Sequence, residues 1–212
     1  MLQIVGAGPE RAGEIAVDAC IPLMMKWPRR GPETTLYWTF GDERALLETG
    51  WDGRTGELAD VTLVTPGPIA RMEHAPPPAF YPTAGIPRCD PGEWVRRTSR
   101  GMLNDFADHY VREPLPVRTE LGPDHLLVRI GGGGEAAVSE MVSGRLRAGL
   151  SAAQSLLWIC VGGFSAAERA MLEEHVAYSH APPSSPAPAP DGWKARIRKV
   201  FGRGDSHPFS GA

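Results

Sequence analysis

Cysteine is scarce and carries no pattern. Cys20, Cys89 and Cys160 are odd in number, widely spaced and form no CxxC or Cys/His ligand set. A disulfide scaffold or a structural zinc module is therefore excluded as the source of the fold, and a reduced, cytoplasmic compartment is the simplest expectation. Long apolar runs are missing too. No stretch approaches the roughly 18 apolar residues of a membrane-spanning helix, and Glu10, Arg11, Glu14, Asp18 and Pro22 break up any secretion-signal pattern near the start. Clustered positive charge is absent from most of the chain. Residues 1–180 carry 17 basic and 23 acidic side chains, whereas residues 181–212 carry five basic and two acidic. A mildly acidic body thus precedes a basic tail, and sequence-independent nucleic-acid binding by the body is disfavoured, because neutralising phosphates needs grouped Lys and Arg.

What is present suffices for a core built on apolar burial alone, since 212 residues, 42% of them hydrophobic, exceed what a small domain needs. Residues Thr35 to Phe40 alternate with period two, as half-buried strands do. Two more strands, Ala45 to Trp51 and Leu58 to Thr65, flank Asp52-Gly53-Arg54-Thr55-Gly56, whose glycines and Asx-type aspartate predict a hairpin turn. Strands are expected at Val117 to Leu121 and His125 to Ile130, and a hairpin from Gly144 to Leu150 and Ser155 to Val161 about a turn at Ser151 to Gln154. The Asp52 and Ser151 hairpins resemble each other in outline, but their side chains match too weakly to mark a repeat. Residues 66–91 hold eight prolines, which fits an extended loop and excludes helix. Such a loop either wraps the domain or presents Phe80 and Tyr81 as contacts for a partner.

Two helices are expected. Val95, Met102, Phe106 and Tyr110 fall on one stripe, predicting a helix from Glu93 to about Arg112 that ends before Pro114. Ser165-Ala166-Ala167-Glu168 has the spacing of a capping box and opens a helix to about Tyr178. The expected fold class is α+β: an antiparallel meander of hairpins over residues 1–180, with two or three helices packed on one face. A proline-rich tether at 181–190 and a basic amphipathic segment at 191–212 follow.

Candidate chemistry gives way at each point to a simpler reading. The opening Gly6-Ala7-Gly8-Pro9 has Arg11 where a dinucleotide-binding turn has its third glycine, and prolines fill the region of the expected second strand. Gly131 to Gly134 lacks the Lys-Ser or Lys-Thr of a phosphate loop. Asp105 and His109 have i, i+4 spacing without further ligands, so surface pairing outweighs a metal site. Cys89, beside Arg88, would have a depressed thiol pKa if exposed, but no histidine partner is placeable in sequence. No catalytic residue, metal or cofactor is expected.

The strongest interaction signal is the tail. Trp193, Ile197, Val200 and Phe201 form one helical stripe, flanked by Lys194, Arg196, Arg198 and Lys199. A helix of about ten residues is marginal alone in water and should order on contact. A partner's groove is favoured over an anionic membrane surface, and both over docking on the body, given the stiff tether. The sequence therefore points to a non-enzymatic protein-binding role, of the immunity-protein or regulatory-adaptor kind, with a tethered docking helix. Peripheral membrane attachment, and an enzyme whose site assembles from dispersed residues such as Asp105, His109 and Cys89, are the alternatives.

Overall fold

The computed structural model describes residues 1–28, 34–77, 82–93, 109–132 and 135–179. The tail from 181 onward, Phe80, Tyr81 and Asp105 lie outside the described residues. The architecture is mainly β, which corrects the expected α+β class with two or three helices: among the described residues one helix stands against fifteen strands. Its strands are β1 (Ile4–Ala7), β2 (Glu14–Ala16), β3 (Leu23–Lys26), β4 (Thr35–Gly41), β5 (Ala45–Asp52), β6 (Leu58–Pro66), β7 (Ile69–Arg71) and β8 (Pro82–Ala84). They continue with β9 (Pro87–Cys89), β10 (Tyr110–Glu113), β11 (Val117–Leu121), β12 (His125–Ile130), β13 (Ser139–Ser143), β14 (Leu146–Leu150) and β15 (Leu156–Gly162) before α1 (Ala166–Ser179).

The hairpins fall where alternation and turn chemistry put them. Asp52 accepts backbone N–H bonds from Arg54 at 3.0 Å and Thr55 at 2.7 Å, and Ser151 plays the same part for Ala153 and Ser155. The capping box forms in both directions, Glu168 N–H donating to Ser165 Oγ and Ser165 N–H to the Glu168 carboxylate. The helix expected from Glu93 ends differently. Residues 94–108 lie outside the described residues, but Tyr110–Glu113 is a strand parallel to β4. Tyr110 closed an apparent helical stripe, yet Tyr110-Val111-Arg112-Glu113 also alternates, and pairing with β4 decides between the two periods. Residues 66–91 are likewise more than loop. They give β7 and β8 to opposite edges of one sheet and β9 to a separate pair with β1. Pro82 and Pro87 open their strands, where a missing N–H costs no ladder bond.

The sheet order shows a repeat that the side chains conceal. The first sheet runs β10-β4-β5-β6-β3-β2 and the second β8-β13-β14-β15-β12-β11-β7. Five consecutive strands in each half, β2 to β6 and β11 to β15, thus occupy the same spatial order 3-4-5-2-1, antiparallel throughout. Each sheet adds a parallel strand at the same edge, β10 on β4 and β8 on β13, both drawn from the chain between the halves. Even the irregularities correspond: register slips between Gly50 and Trp51 and between Gly149 and Leu150. Gly56 and Gln154, in the turns that follow, both take left-handed φ, 71° and 60°.

One face of each sheet enters a common core. Trp38, Phe40, Leu47, Trp51, Val61 and Leu63 of the first meet Leu126, Val128, Ala148, Ile159 and Val161 of the second in one apolar cluster. Helix α1 adds Leu172 and Val176, i and i+4 on one face. Arg169 holds it by donating to the Gly122 and Pro123 carbonyls, and Arg145 by an ion pair with Glu168 at 3.2 Å.

Candidate functional site

The faces turned away from the core can be compared position by position, because the two registers coincide. On the first sheet one row across the strands reads Tyr110, Tyr37, Gly50, Asp60, Lys26, Glu14, and the next reads Arg112, Thr39, Glu48, Thr62, Met24, Ala16. The matching rows of the second sheet read Pro82, Glu140, Gly149, Trp158, Arg129, Arg118 and Ala84, Val142, Arg147, Cys160, Leu127, Glu120. Glu48 therefore corresponds to Arg147, Asp60 to Trp158 and Tyr37 to Glu140.

The second sheet pairs these positions with one another. Arg147 Nε lies 2.5 Å from Glu140 Oε1, its Nη2 donates to the Pro76 carbonyl at 3.1 Å, and its guanidinium stands 5.7 Å from the centre of the Trp158 ring. Glu140 is 2% exposed, so the pair neutralises a charge that would be costly alone. Trp158 lies across Gly149, where a Cβ would come within 2.0 Å of the indole. Beneath it Leu127 and Cys160 form a small apolar cluster, and burial pushes the Cys160 thiol up to about 11.

The first sheet keeps the same frame with opposite chemistry. Asp60, 2% exposed, lies across Gly50, where a Cβ would meet its carboxylate at 2.3 Å. Glu48 is half-buried one row away and, among the described residues, has no hydrogen bond and no ion pair. Burial first, and the charge of Asp60 second, push its carboxyl up to about 7. Opposite Glu48, the Thr62 hydroxyl is buried and makes no hydrogen bond. Thr39 differs, donating to the Val111 carbonyl at 3.3 Å. The Tyr37 and Tyr110 rings stack beside the acids, centroids 4.8 Å apart and planes 15° apart. Burial, and then the Glu48 charge, push the Tyr110 phenol above its ordinary value, so this ring stays neutral. The result is a carboxyl that can hold or release a proton near neutrality, next to a second acid, a free hydroxyl and an aromatic wall.

A shallow depression bounded by Arg11, Trp27, Asp52, Arg54 and Glu57 is a weaker candidate, because the Arg11 guanidinium is already engaged by Glu57.

Of the residues singled out in the sequence, the tail set Trp193, Lys194, Arg196, Ile197, Arg198, Lys199, Val200 and Phe201 and the loop pair Phe80 and Tyr81 lie outside the described residues. Cys89 departs from the depressed thiol expected of an exposed position. It is 1% exposed on β9, its Sγ lies 3.4 Å from the Gly56 carbonyl, and burial drives its thiol pKa up rather than down. Among the described residues no group of three or more His, Cys, Asp or Glu is placed to hold a metal, and no helix is long and apolar enough to cross a membrane. Sequence reasoning passed over Glu48, Asp60 and Thr62. Their signal was a lone acid inside each of two otherwise apolar strands, in Leu46-Leu47-Glu48-Thr49 and Leu58-Ala59-Asp60-Val61.

No protein-family model matches the chain, and no curated protein matches it either.

Proposed function

We propose that this is a non-enzymatic binding protein, of the immunity-protein or regulatory-adaptor kind, acting in the cytoplasm on a basic protein partner. The acidic β body carries recognition on the outer face of its first sheet, and the segment Trp193 to Phe201 is a second, tethered contact. The observation that supports this reading is Glu48. At the same place in the second half the protein spends an arginine on closing the face, whereas in the first half it leaves a half-buried acid beside another acid. Such an arrangement costs stability in the free protein and is relieved by an incoming positive charge. The net −6 of residues 1–180 favours the same class of partner by long-range attraction.

Cross-linked capture from native cytosol tests this, using the full chain, Glu48→Gln and the double variant Trp193→Ala with Phe201→Ala, at low and high salt. The expected result is a basic protein held by the full chain, weakened by salt and by Glu48→Gln, and weakened further when the tail is changed. Recovery of nothing by any form, or equal recovery by all three, refutes the reading. Should the tail instead bind anionic vesicles in flotation while no protein is captured, the membrane assignment of that segment takes its place. A second reading follows from the carboxyl of Glu48 lying near neutrality, as a general acid–base group requires. It predicts turnover of a small substrate that Glu48→Gln abolishes.

A further inference from the structure

We propose that the first sheet has a pH-sensitive edge: ionisation of Glu48 favours release of strand β10 from β4, and protonation of Glu48 keeps β10 in place. This goes beyond the protein-binding reading above and needs no partner, so the protein alone can test it.

Glu48 sits in the middle of β5, half-buried, and makes no hydrogen bond or ion pair among the described residues. The polar and titratable groups around it come from four strands. On β6, Thr62 lies directly opposite and the buried Asp60 one row away; on β4, Thr39 lies opposite and Tyr37 one row away. Strand β10 brings Tyr110 and Arg112, and β3 brings Lys26. Neither cation stands next to Glu48 in register: Lys26 is opposite Asp60, and Arg112 is exposed at the sheet margin beyond Thr39. An acid placed in this way next to a second acid either keeps its proton or needs water. Burial, and then the charge of Asp60, push the Glu48 carboxyl up to about 7, so the exchange of one state for the other falls near neutrality.

Topology decides which element yields. Strands β4, β5 and β6 are each paired on both sides, whereas β10 is a four-residue edge strand paired on one side only, and in parallel. Parallel pairing is slightly weaker per residue, and short margins with few neighbours open before the core does. Strand β10 also carries the side chain that senses the acid. Tyr110 stacks on Tyr37, centroids 4.8 Å apart, and its phenol is raised by burial and then by the Glu48 charge. The other ties of β10 are the Thr39 hydroxyl donating to the Val111 carbonyl at 3.3 Å and the ion pair of Glu113 with the Met1 amine at 2.8 Å. The second half supplies the contrast. Its matching edge strand β8 pairs in parallel with β13, but there Arg147, paired with Glu140, takes the place of Glu48, and no lone acid stands beside that edge.

The test is native-state hydrogen exchange of the full chain by NMR from about pH 5 to about pH 8, each amide corrected for its intrinsic rate. An acid at about 7 in the closed edge and at its ordinary 4.5 in the hydrated, open one favours opening as pH rises. Protection of the β10 amides should therefore fall by roughly fiftyfold across this range, while that of Thr83 and Ala84 on β8 stays level. In the same samples the Glu48 carboxyl carbon should titrate over the pH range in which β10 protection falls, a reading that needs no variant. Glu48→Gln, which keeps the size of the side chain, should make β10 protection independent of pH. Level β10 protection in the parent protein, a pH dependence that survives in Glu48→Gln, or an equal fall at β8 would overturn the proposal. So would β10 amides as well protected as those of the central strands, since release of the edge would then be no separate event. None of these outcomes depends on whether a partner is captured from cytosol.

Discussion

Replacing Glu48 by Gln should stabilise the protein, and by an amount that depends on pH. Folding moves this carboxyl from its ordinary 4.5 up to about 7, so the folded state disfavours its ionised form. The linkage sign follows: an acid whose folded pKa is raised destabilises the native state above that pKa, and the penalty fades as pH falls from about 7 toward 4.5. At about 1.4 kcal/mol per tenfold change in the ionisation constant, the full penalty is about 3 kcal/mol at pH 8 and below about 1 kcal/mol at pH 5. Glutamine keeps the length and polarity of the protonated acid, so the variant should gain up to about 3 kcal/mol at pH 8 and less than about 1 kcal/mol at pH 5. Urea unfolding followed by tryptophan fluorescence reads the difference directly, since Trp38 and Trp51 are fully buried in the core next to this sheet. An unchanged denaturant slope would show that only stability moved. A gain independent of pH, or a loss at pH 8, would refute the burial of an unpartnered acid on which the site is built. Because Asp60 is the second cause of the shift, Asp60→Asn should also move the pH at which the gain appears toward lower values.

The helix side of the domain responds oppositely to acid. Bonding to Arg71, then to Arg169, holds Glu173 down at about 2, so this carboxylate's contribution is present above pH 4.5 and lost as pH falls toward 2, which acid unfolding of Glu173→Gln against the parent will display. Gly149→Ala drives a methyl into the Trp158 ring, 2.0 Å from the nearest atom, and should cost about 1–3 kcal/mol as other overpacked sites do, measured by denaturant unfolding. A maleimide should label Cys20, which is exposed, in the native protein and reach Cys89 and Cys160 only on unfolding, counted by mass spectrometry under both conditions.

The strands β4, β5, β6, β11, β12, β14 and β15 were legible because each is long enough to show alternation and is bounded by turn residues with a defined conformational role. Most of the others were not. Glu14-Ile15-Ala16 and Leu23 to Lys26 are too short for a period to be counted, and β7, β8 and β9 are hidden among prolines that local rules assign to loop. Tyr110 satisfied helical and strand spacing at once, and only the partner strand β4 resolves it. The repeat was hidden for a different reason. Register and turn geometry are shared, but matching positions hold Asp60 against Trp158, Glu48 against Arg147 and Thr62 against Cys160, so side-chain identity fails where backbone pairing agrees. The candidate site was missed with it, since a lone acid in a strand gains meaning only from the row of residues beside it.

The shared core explains how one half can carry such a site. A face that leaves an acid unpartnered gives up a few kcal/mol, a large part of the net stability of a typical domain. Here the apolar faces of both sheets enter one cluster, so residues that stabilise the second half also hold the first. The Glu140–Arg147 pair, the Trp158 cover and the Arg145 and Arg169 ties of α1 lie in the second half, outside the strands that carry the acids at 48 and 60. Two copies of one strand order thus differ on their outer faces: the second sets Arg147 against Glu140 and Trp158, whereas the first places Glu48 at the matching position, with no hydrogen bond or ion pair among the described residues, opposite a buried Thr62 hydroxyl that makes no hydrogen bond.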